Sequence, residues 1–158
     1  MKFEHEIRYD AAPERVYAML ADRSFREEVC DAQRVVEKSV SVTPDGAGMQ
    51  VTVDQKQPAK GIPSFAQKIV GDQIHILQKE SWSGPTDADL EVTIPGKPGN
   101  LVGAVTLRPN GAGTVETVSG EIKVNIPLVG GKLAKLIADM LEKALKTENR
   151  VGDRWLAG

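Results

Sequence analysis

Residues 129–150, VGGKLAKLIADMLEKALKTENR, decide the fold. In this stretch apolar residues recur at intervals of three and four, with lysines and acidic residues between them, which predicts one amphipathic helix. Its apolar positions are Leu133, Leu136, Ile137, Met140, Leu141, Ala144 and Leu145. A helix of these 22 residues is ~33 Å long, which is enough to cross a whole β-sheet. We therefore expect a sheet upstream that this helix covers.

The residues upstream have the two-residue period of half-buried strands. Residues 2–10 alternate apolar or aromatic side chains with charged ones, and the same period returns at about residue 34. Clusters of Pro, Gly, Asn and Asp interrupt this period and mark turns. The strands predicted after the first are 34–43, 48–57, 72–82, 87–94, 101–108 and 114–126. Because short turns join consecutive strands, the sheet is expected to be antiparallel.

Three shorter segments interrupt the strand pattern. Pro13 predicts a helix over residues 13–21, because proline is favoured in the first helical turn. Ser24 is a candidate cap for a second helix that ends at Asp31. Residues 61–71, GIPSFAQKIVG, are too long for a hairpin turn, and we expect them to form a helical turn or a lid.

The composition favours one soluble globular domain spanning residues 1–158. Lys and Arg number 20 against 22 Asp and Glu, so the chain lacks the basic excess of a nucleic-acid-binding protein. No apolar run approaches the ~20 residues of a membrane span, and the N-terminus lacks the apolar core of a signal peptide. The single Cys30 cannot form an internal disulfide, which fits a cytoplasmic protein. We expect no nucleic-acid partner and no stable membrane insertion.

The predicted elements are, in order, one strand, two short helices, further strands and a long helix. This order resembles that of the START-like superfamily, also called SRPBCC or the birch-pollen-allergen type. Within that superfamily, three segments look like an uncharacterised actinobacterial family of unknown function. They are KFEHEIRYDAAPERVYAML (residues 2–20), GIPSFAQKIVG (61–71) and NIPLVGGKLAKLI (125–137). The resemblance implies an α+β helix-grip fold, in which a curved seven-stranded antiparallel sheet surrounds the long C-terminal helix. Members share a cavity between sheet and helix rather than a set of catalytic residues.

The resemblance implies binding or transport of a hydrophobic small molecule, such as a lipid or a polyketide-like compound. The inward phase of the predicted strands is mainly aliphatic, and only seven residues of the chain are aromatic. Because aromatic side chains dominate core burial, their scarcity predicts unfilled space inside, with Phe65 and Trp82 near its mouth. The predicted ligand contacts are Met49, Val53, Phe65, Trp82, Val105, Ile122, Leu136, Ile137 and Met140.

Two polar residues of the fourth predicted strand, Gln78 and Glu80, share the phase of its apolar side chains. One interpretation places them in solvent near the strand end, with a bulge at Leu77. In the other they reach the cavity, where a buried Glu80 needs a partner such as Lys38 or His5. On that second interpretation, His5, Gln78 and Glu80 are weak catalytic candidates for a polyketide cyclase or dehydratase-like enzyme, the main alternative to binding.

No motif indicates a metal or a cofactor. His5, Cys30 and His75 do not have the spacing of metal ligands, and the acidic neighbours of Cys30 are expected to raise the pKa of its thiol. Residues 130–132, Gly-Gly-Lys, are similar to the end of a phosphate loop, but Ile126 stands where that motif requires glycine. A second alternative to ligand binding is a protein-interaction adaptor with a filled core and an exposed apolar patch.

Overall fold

The computed structural model describes residues 1–158. Its strands are β1 (Lys2–Tyr9), β2 (Glu37–Asp45), β3 (Gly48–Pro58), β4 (Gln73–Trp82), β5 (Asp87–Thr93), β6 (Asn100–Asn110) and β7 (Gly113–Lys123). Its helices are α1 (Pro13–Leu20), α2 (Arg23–Ala32), α3 (Ser64–Val70) and α4 (Gly130–Ala157). The seven strands form one antiparallel sheet in the spatial order β1-β7-β6-β5-β4-β3-β2. The predicted α+β helix-grip fold is confirmed.

The C-terminal helix α4 lies against the inner face of the sheet. It contains 28 residues, which makes it ~42 Å long, and it continues seven residues beyond the predicted end at residue 150. The apolar stripe explains this extension, because Val151 and Trp155 continue it at helical spacing. Val151 is fully buried, and the Trp155 ring meets Phe25 edge to face with 5.6 Å between ring centroids. None of the helices is both long enough and apolar enough to cross a membrane.

A pair of glycines brings two strands unusually close at the inner face of the sheet. Gly103 of β6 lies directly opposite Gly120 of β7, in the same alternation as the buried Leu101 and Ile122. A Cβ atom on Gly103 would lie 1.8 Å from the backbone oxygen of Ser119. Such a close backbone approach excludes any side chain and is typical of a bend in a sheet.

The apolar core fills the part of the sheet that α1 and α2 cover. Leu20 and Phe25 of these helices are buried against Tyr9 of β1 and the rest of one continuous apolar cluster. Trp82 belongs to this core, where its ring meets the edge of Tyr17 at 5.5 Å between ring centroids. The expectation that Trp82 lies near the mouth of a cavity is therefore wrong.

Several segment ends differ from the predictions. β2 begins at Glu37 rather than at residue 34, because Arg34 has a left-handed backbone with φ of 58° and Val36 is 51% exposed. The cap of α2 is Asp22 rather than Ser24, since the Asp22 side chain accepts a hydrogen bond from the Ser24 backbone N–H at 2.8 Å. β7 ends three residues earlier than predicted.

Strand β4 contains no bulge. Leu77 pairs with Asp54 of β3 and with Thr93 of β5, and the register continues without interruption along the strand. Gln78 and Glu80 therefore keep the inward phase of the strand, so the interpretation that places them in solvent loses its structural basis.

Candidate functional site

An apolar cavity of about 100 Å³ lies between the N-terminal half of α4 and strands β3, β4 and β5. Helix α3, the helical turn predicted within residues 61–71, forms another part of the wall. Of the 19 lining residues 14 are hydrophobic, and none is charged. The hydrophobic lining residues are Ile62, Ala66, Ile69, Val70, Ile74, Ile76, Val92, Ile94, Leu133, Leu136, Ile137, Met140, Leu141 and Ala144.

Glutamines supply the polar part of the cavity wall. Gln33, Gln55, Gln57 and Gln78 line the cavity. Gln57 Nε2 donates to Gln33 Oε1 at 3.0 Å and to Gln55 Oε1 at 3.2 Å, so three of these amides bind one another. Because amides do not ionise at physiological pH, the cavity wall stays uncharged.

The predicted ligand contacts are divided between several parts of the protein. Those that line the apolar cavity are Leu136, Ile137 and Met140. Phe65 is half-buried on α3, which presents Ala66 and Ile69 to the cavity instead. The remaining buried ones are Met49, Val53, Trp82, Val105 and Ile122, none of which lines this cavity. Strand alternation identifies the inner face of the sheet, but it does not tell which part of that face the helices fill.

A smaller space of about 30 Å³ adjoins the apolar cavity, and we call it the polar chamber. Its polar lining side chains are Arg26, Gln78, Glu80, Glu116 and Glu148. Val105, one of the predicted ligand contacts, lines this chamber rather than the cavity. Gln78, Val92 and Leu141 line both spaces and therefore form the boundary between them.

A buried ion pair between Arg26 and Glu80 forms one side of the polar chamber. Arg26 Nη1 and Nη2 donate to Glu80 Oε2 and Oε1 at 2.7 and 2.9 Å, the two-point geometry in which guanidinium and carboxylate bind most strongly. Arg26 Nε donates to the backbone oxygen of Leu20 at 2.8 Å. The Arg26 and Glu80 side chains are only 5% and 4% exposed. The pair therefore joins α2 to β4 inside the protein.

Glu80 has hydrogen-bond donors on both oxygens besides Arg26. Trp82 Nε1 donates to Oε1 at 2.8 Å, and Gln78 Nε2 donates to Oε2 at 2.6 Å. Burial by itself raises the pKa of Glu80, but the charge and hydrogen bonds of Arg26 outweigh burial and hold that pKa below the ordinary value. Glu80 is therefore an ionised carboxylate at neutral pH, with all of its partners inside the protein.

Glu116 of β7 and Glu148 of α4 form a second buried pair. Burial raises the pKa of both carboxyl groups, and the neighbouring Glu148 charge raises the pKa of Glu116 further. The two carboxyl groups lie close enough to influence each other's pKa, so the pair is most stable when it holds one proton. The Tyr9 hydroxyl lies 3.4 Å from Glu148 Oε2. Glu116 Oε1 has no hydrogen-bond partner, although Glu116 is only 3% exposed.

The predicted partners of a buried Glu80 are wrong. Lys38 forms an ion pair with Asp31 near the surface. His5 is half-buried on β1 and lines neither the cavity nor the chamber. The partner is Arg26, which lies 54 residues earlier in the chain.

Each residue that the sequence interpretation missed lies on an apolar face. Arg26 precedes the buried Val29 by three residues, so both are on the same side of α2. Glu116 shares its strand alternation with the buried Val118, and Glu148 continues the apolar stripe of α4. A charged side chain in such a position signals a buried polar network, because it needs a partner there.

The apolar cavity and the polar chamber are neighbouring spaces that share the wall formed by Gln78, Val92 and Leu141. This arrangement is able to surround an apolar molecule and to hydrogen-bond one polar group beyond Gln78. No group of three or more His, Cys, Asp or Glu side chains is arranged to hold a metal ion.

Solved structures share this architecture. A START superfamily protein from Mycobacterium smegmatis is 15% identical and superposes with a TM-score of 0.63, over 96% of this chain and 97% of that protein. The di-domain ARO/CYC StfQ from the steffimycin biosynthetic pathway is 12% identical, with a TM-score of 0.68 over 97% of this chain and 49% of that protein. At these identities the likeness shows a START-like fold and nothing more.

Sequence comparison extends the likeness to uncharacterised proteins. The uncharacterized protein Rv0481c of Mycobacterium tuberculosis is 25% identical over 171 residues, which cover 98% of this chain and 95% of that protein. The predicted resemblance is confirmed, in fold to START-like proteins and in sequence to uncharacterised actinobacterial proteins. Since the family model described as Protein of unknown function (DUF2505) matches residues 4–156, this chain belongs to that family.

Proposed function

We propose that residues 1–158 form one START-like domain that binds a hydrophobic small molecule in the apolar cavity, in the cytoplasm. The observation that carries the proposal is the cavity wall, in which 14 of 19 residues are hydrophobic and none is charged. An apolar molecule that occupies this space removes its own surface and the surface of the wall from water, and this burial favours binding. The free thiol of Cys30 suits the reducing cytoplasm.

The volume of the cavity favours a small or slender ligand. At about 100 Å³ the cavity is below the ~300–1,000 Å³ typical of ligand pockets and nearer to the ~150 Å³ of an engineered cavity that binds benzene. One aromatic ring or one alkyl chain suits such a space. A sterol or a polycyclic polyketide needs a larger cavity.

Helix α3 is the part of the wall best suited to enlarge the cavity. It has only seven residues, and Gly61 and Gly71 flank it with φ of 93° and 81°, values that glycine adopts without strain. Ala66 and Ile69 of this helix line the cavity. We infer that outward movement of residues 61–71 admits a longer lipid or a polyketide-like compound, which is the lid function predicted for this segment.

The two alternative functions find less support in the described residues. A cyclase or dehydratase needs an acid or base that faces the substrate, whereas Glu80 is ionised and bound by Arg26, Gln78 does not titrate, and His5 does not line the cavity. StfQ is named as an ARO/CYC, but the likeness to it extends only to the fold. A filled-core adaptor does not need an apolar cavity between helix and sheet.

The test is to measure binding before and after the cavity is filled. The probes are p-xylene and butylbenzene, followed by ligand-observed NMR and by the rise in melting temperature that binding produces. Ala144→Phe adds a ring to the cavity wall and is expected to abolish binding. Lys143→Phe is the matched control, because it adds the same ring at an exposed position of α4. Absence of binding by the wild type, or equal binding by Ala144→Phe, would overturn the proposal.

A further inference from the structure

We propose that the polar chamber binds the polar end of the ligand, and that it accepts a hydroxyl or an ammonium group and rejects a carboxylate. This inference rests on the proposed function, because it concerns the inner end of the molecule that occupies the apolar cavity.

The polar chamber shares part of its wall with the apolar cavity. Gln78, Val92 and Leu141 line both the cavity and the chamber, so only these side chains separate a ligand in the cavity from the chamber. The chamber volume of about 30 Å³ exceeds the ~10–15 Å³ that one water molecule requires. One hydroxyl or ammonium group therefore fits the chamber, whereas the body of the ligand stays in the apolar cavity.

The polar chamber is lined by a side chain with a hydrogen-bond acceptor that lacks a donor. Both oxygens of Glu80 already have donors, from Arg26, Gln78 and Trp82. Glu116 Oε1 accepts no hydrogen bond, although the Glu116 side chain is buried and lines the chamber. A buried acceptor without a donor is costly, and a ligand O–H or N–H would satisfy it.

The charged side chains of the polar chamber determine which polar group it accepts. The positive charge of Arg26 balances the negative charge of Glu80. The pair of Glu116 and Glu148 retains one negative charge when it shares one proton. No further cationic side chain lines the chamber. An incoming carboxylate therefore meets a negative charge in a site with little water, while a hydroxyl is neutral and an ammonium group is attracted.

The experiment compares three probes with the same alkyl chain: octan-1-ol, octylamine and octanoate. Binding to the wild type is measured at neutral pH by ligand-observed NMR and by titration calorimetry. We expect octan-1-ol and octylamine to bind at least about tenfold more tightly than octanoate, since a hydrogen bond to a charged group contributes that much. Equal or tighter binding of octanoate would overturn the inference, even if the variant proteins cannot be prepared.

Two variants of Glu116 test whether the polar chamber is responsible for the preference for octan-1-ol over octanoate. Glu116→Gln keeps a carbonyl oxygen and an N–H for Glu148, so it is expected to retain the preference for octan-1-ol over octanoate. Glu116→Met has a similar shape but no acceptor, so its affinity for octan-1-ol is expected to fall about tenfold, whereas its affinity for butylbenzene is expected to stay within about threefold of the wild type. An unchanged affinity for octan-1-ol in Glu116→Met would count against the chamber as the binding site.

Butylbenzene separates this inference from the proposed function. Because butylbenzene has no polar group, it tests the apolar cavity alone. Binding of butylbenzene without discrimination among the octyl probes would refute the inference and leave the proposed function standing. If neither butylbenzene nor any octyl probe bound, the proposed function itself would fail.

Discussion

Replacement of Arg26 by methionine tests the buried network most directly. Arg26→Met keeps an apolar side chain but removes the hydrogen bonds to Glu80 at 2.7 and 2.9 Å and the bond to the Leu20 oxygen at 2.8 Å. Glu80 then remains buried, with only Trp82 and Gln78 as donors and without its compensating charge. Removal of one partner from a buried ion pair costs ~3–5 kcal/mol. We expect Arg26→Met to lose that much stability at neutral pH.

The corresponding change in melting temperature is large. A domain of this size loses ~2–4 °C per kcal/mol, so Arg26→Met is expected to lower Tm by about 6–20 °C. The loss is expected to be smaller at acidic pH. In Arg26→Met the guanidinium no longer lowers the pKa of Glu80, so burial raises that pKa. At acidic pH Glu80 is then protonated and no unbalanced charge is buried, which reduces the loss of stability.

Urea unfolding followed by circular dichroism measures these free energies of unfolding. Arg23→Met is the matched control, because Arg23 is exposed on the same helix and approaches Glu27 only to 3.7 Å. The control is expected to change stability by less than ~0.5 kcal/mol. The double variant Arg26→Met/Glu80→Gln lacks the unbalanced charge and is expected to recover most of the loss. Stability of Arg26→Met within ~1 kcal/mol of wild type, or a double variant less stable than Arg26→Met, would refute the reasoning.

Three further predictions concern pH, packing and thiol reactivity. The pKa of Glu116 is higher in the folded protein than in the unfolded chain. Glu116 therefore contributes stability at acidic pH that is lost as the pH rises through the folded-state pKa. Glu116→Gln removes this titration and is expected to make the free energy of unfolding less dependent on pH. Urea unfolding at pH 5 and pH 8 measures this, and an unchanged pH dependence contradicts it. Gly152→Ala is expected to destabilise the protein by ~1–3 kcal/mol, because its Cβ would lie 2.6 Å from the Tyr9 ring. The new Cβ of Gly131→Ala has no neighbouring atom within 4 Å, so this variant is expected to be up to ~1 kcal/mol more stable than the wild type. A higher melting temperature for Gly152→Ala than for Gly131→Ala would contradict this packing. Burial raises the pKa of Cys30 to about 11, so its thiol is expected to react with a disulfide reagent only in urea, and rapid reaction of the native protein contradicts this.

The sequence predicts best the elements in which a regular pattern of apolar residues continues over many positions. The stripe from Leu133 to Leu145 predicts α4, and the alternation of β1 and of the later strands predicts the antiparallel sheet. The ends of elements are predicted less well because single contacts set them. Val151 and Trp155 extend α4 through packing against other elements, and the left-handed backbone of Arg34 delays the start of β2.

The polar chamber depends on tertiary contacts that no local pattern contains. Arg26 lies in the segment Arg26-Glu27-Glu28, where a run of charges reads as a solvated helix face, yet Arg26 alone of the three is buried. Its partner Glu80 is 54 residues away. Glu116 and Glu148 come from different elements, so their shared proton follows only from their contact across the interior. Sequence periodicity locates each charged side chain on an inner face, and the fold decides which of them meet.

The positions of the aromatic residues explain why the cavity and the chamber lie side by side. Tyr9, Phe25 and Trp82 are among the largest fully buried side chains, and they belong to the core that α1 and α2 cover. The wall of the apolar cavity contains no aromatic residue, so no large flat side chain fills the space between α4 and the sheet there. The polar chamber adjoins this cavity, with Trp82 and Arg26 both donating to Glu80. The same contacts that complete the packed core therefore also fix the carboxylate of the polar chamber, whereas another part of the cavity wall is the short helix α3 between two glycines, which has fewer residues to hold it in place.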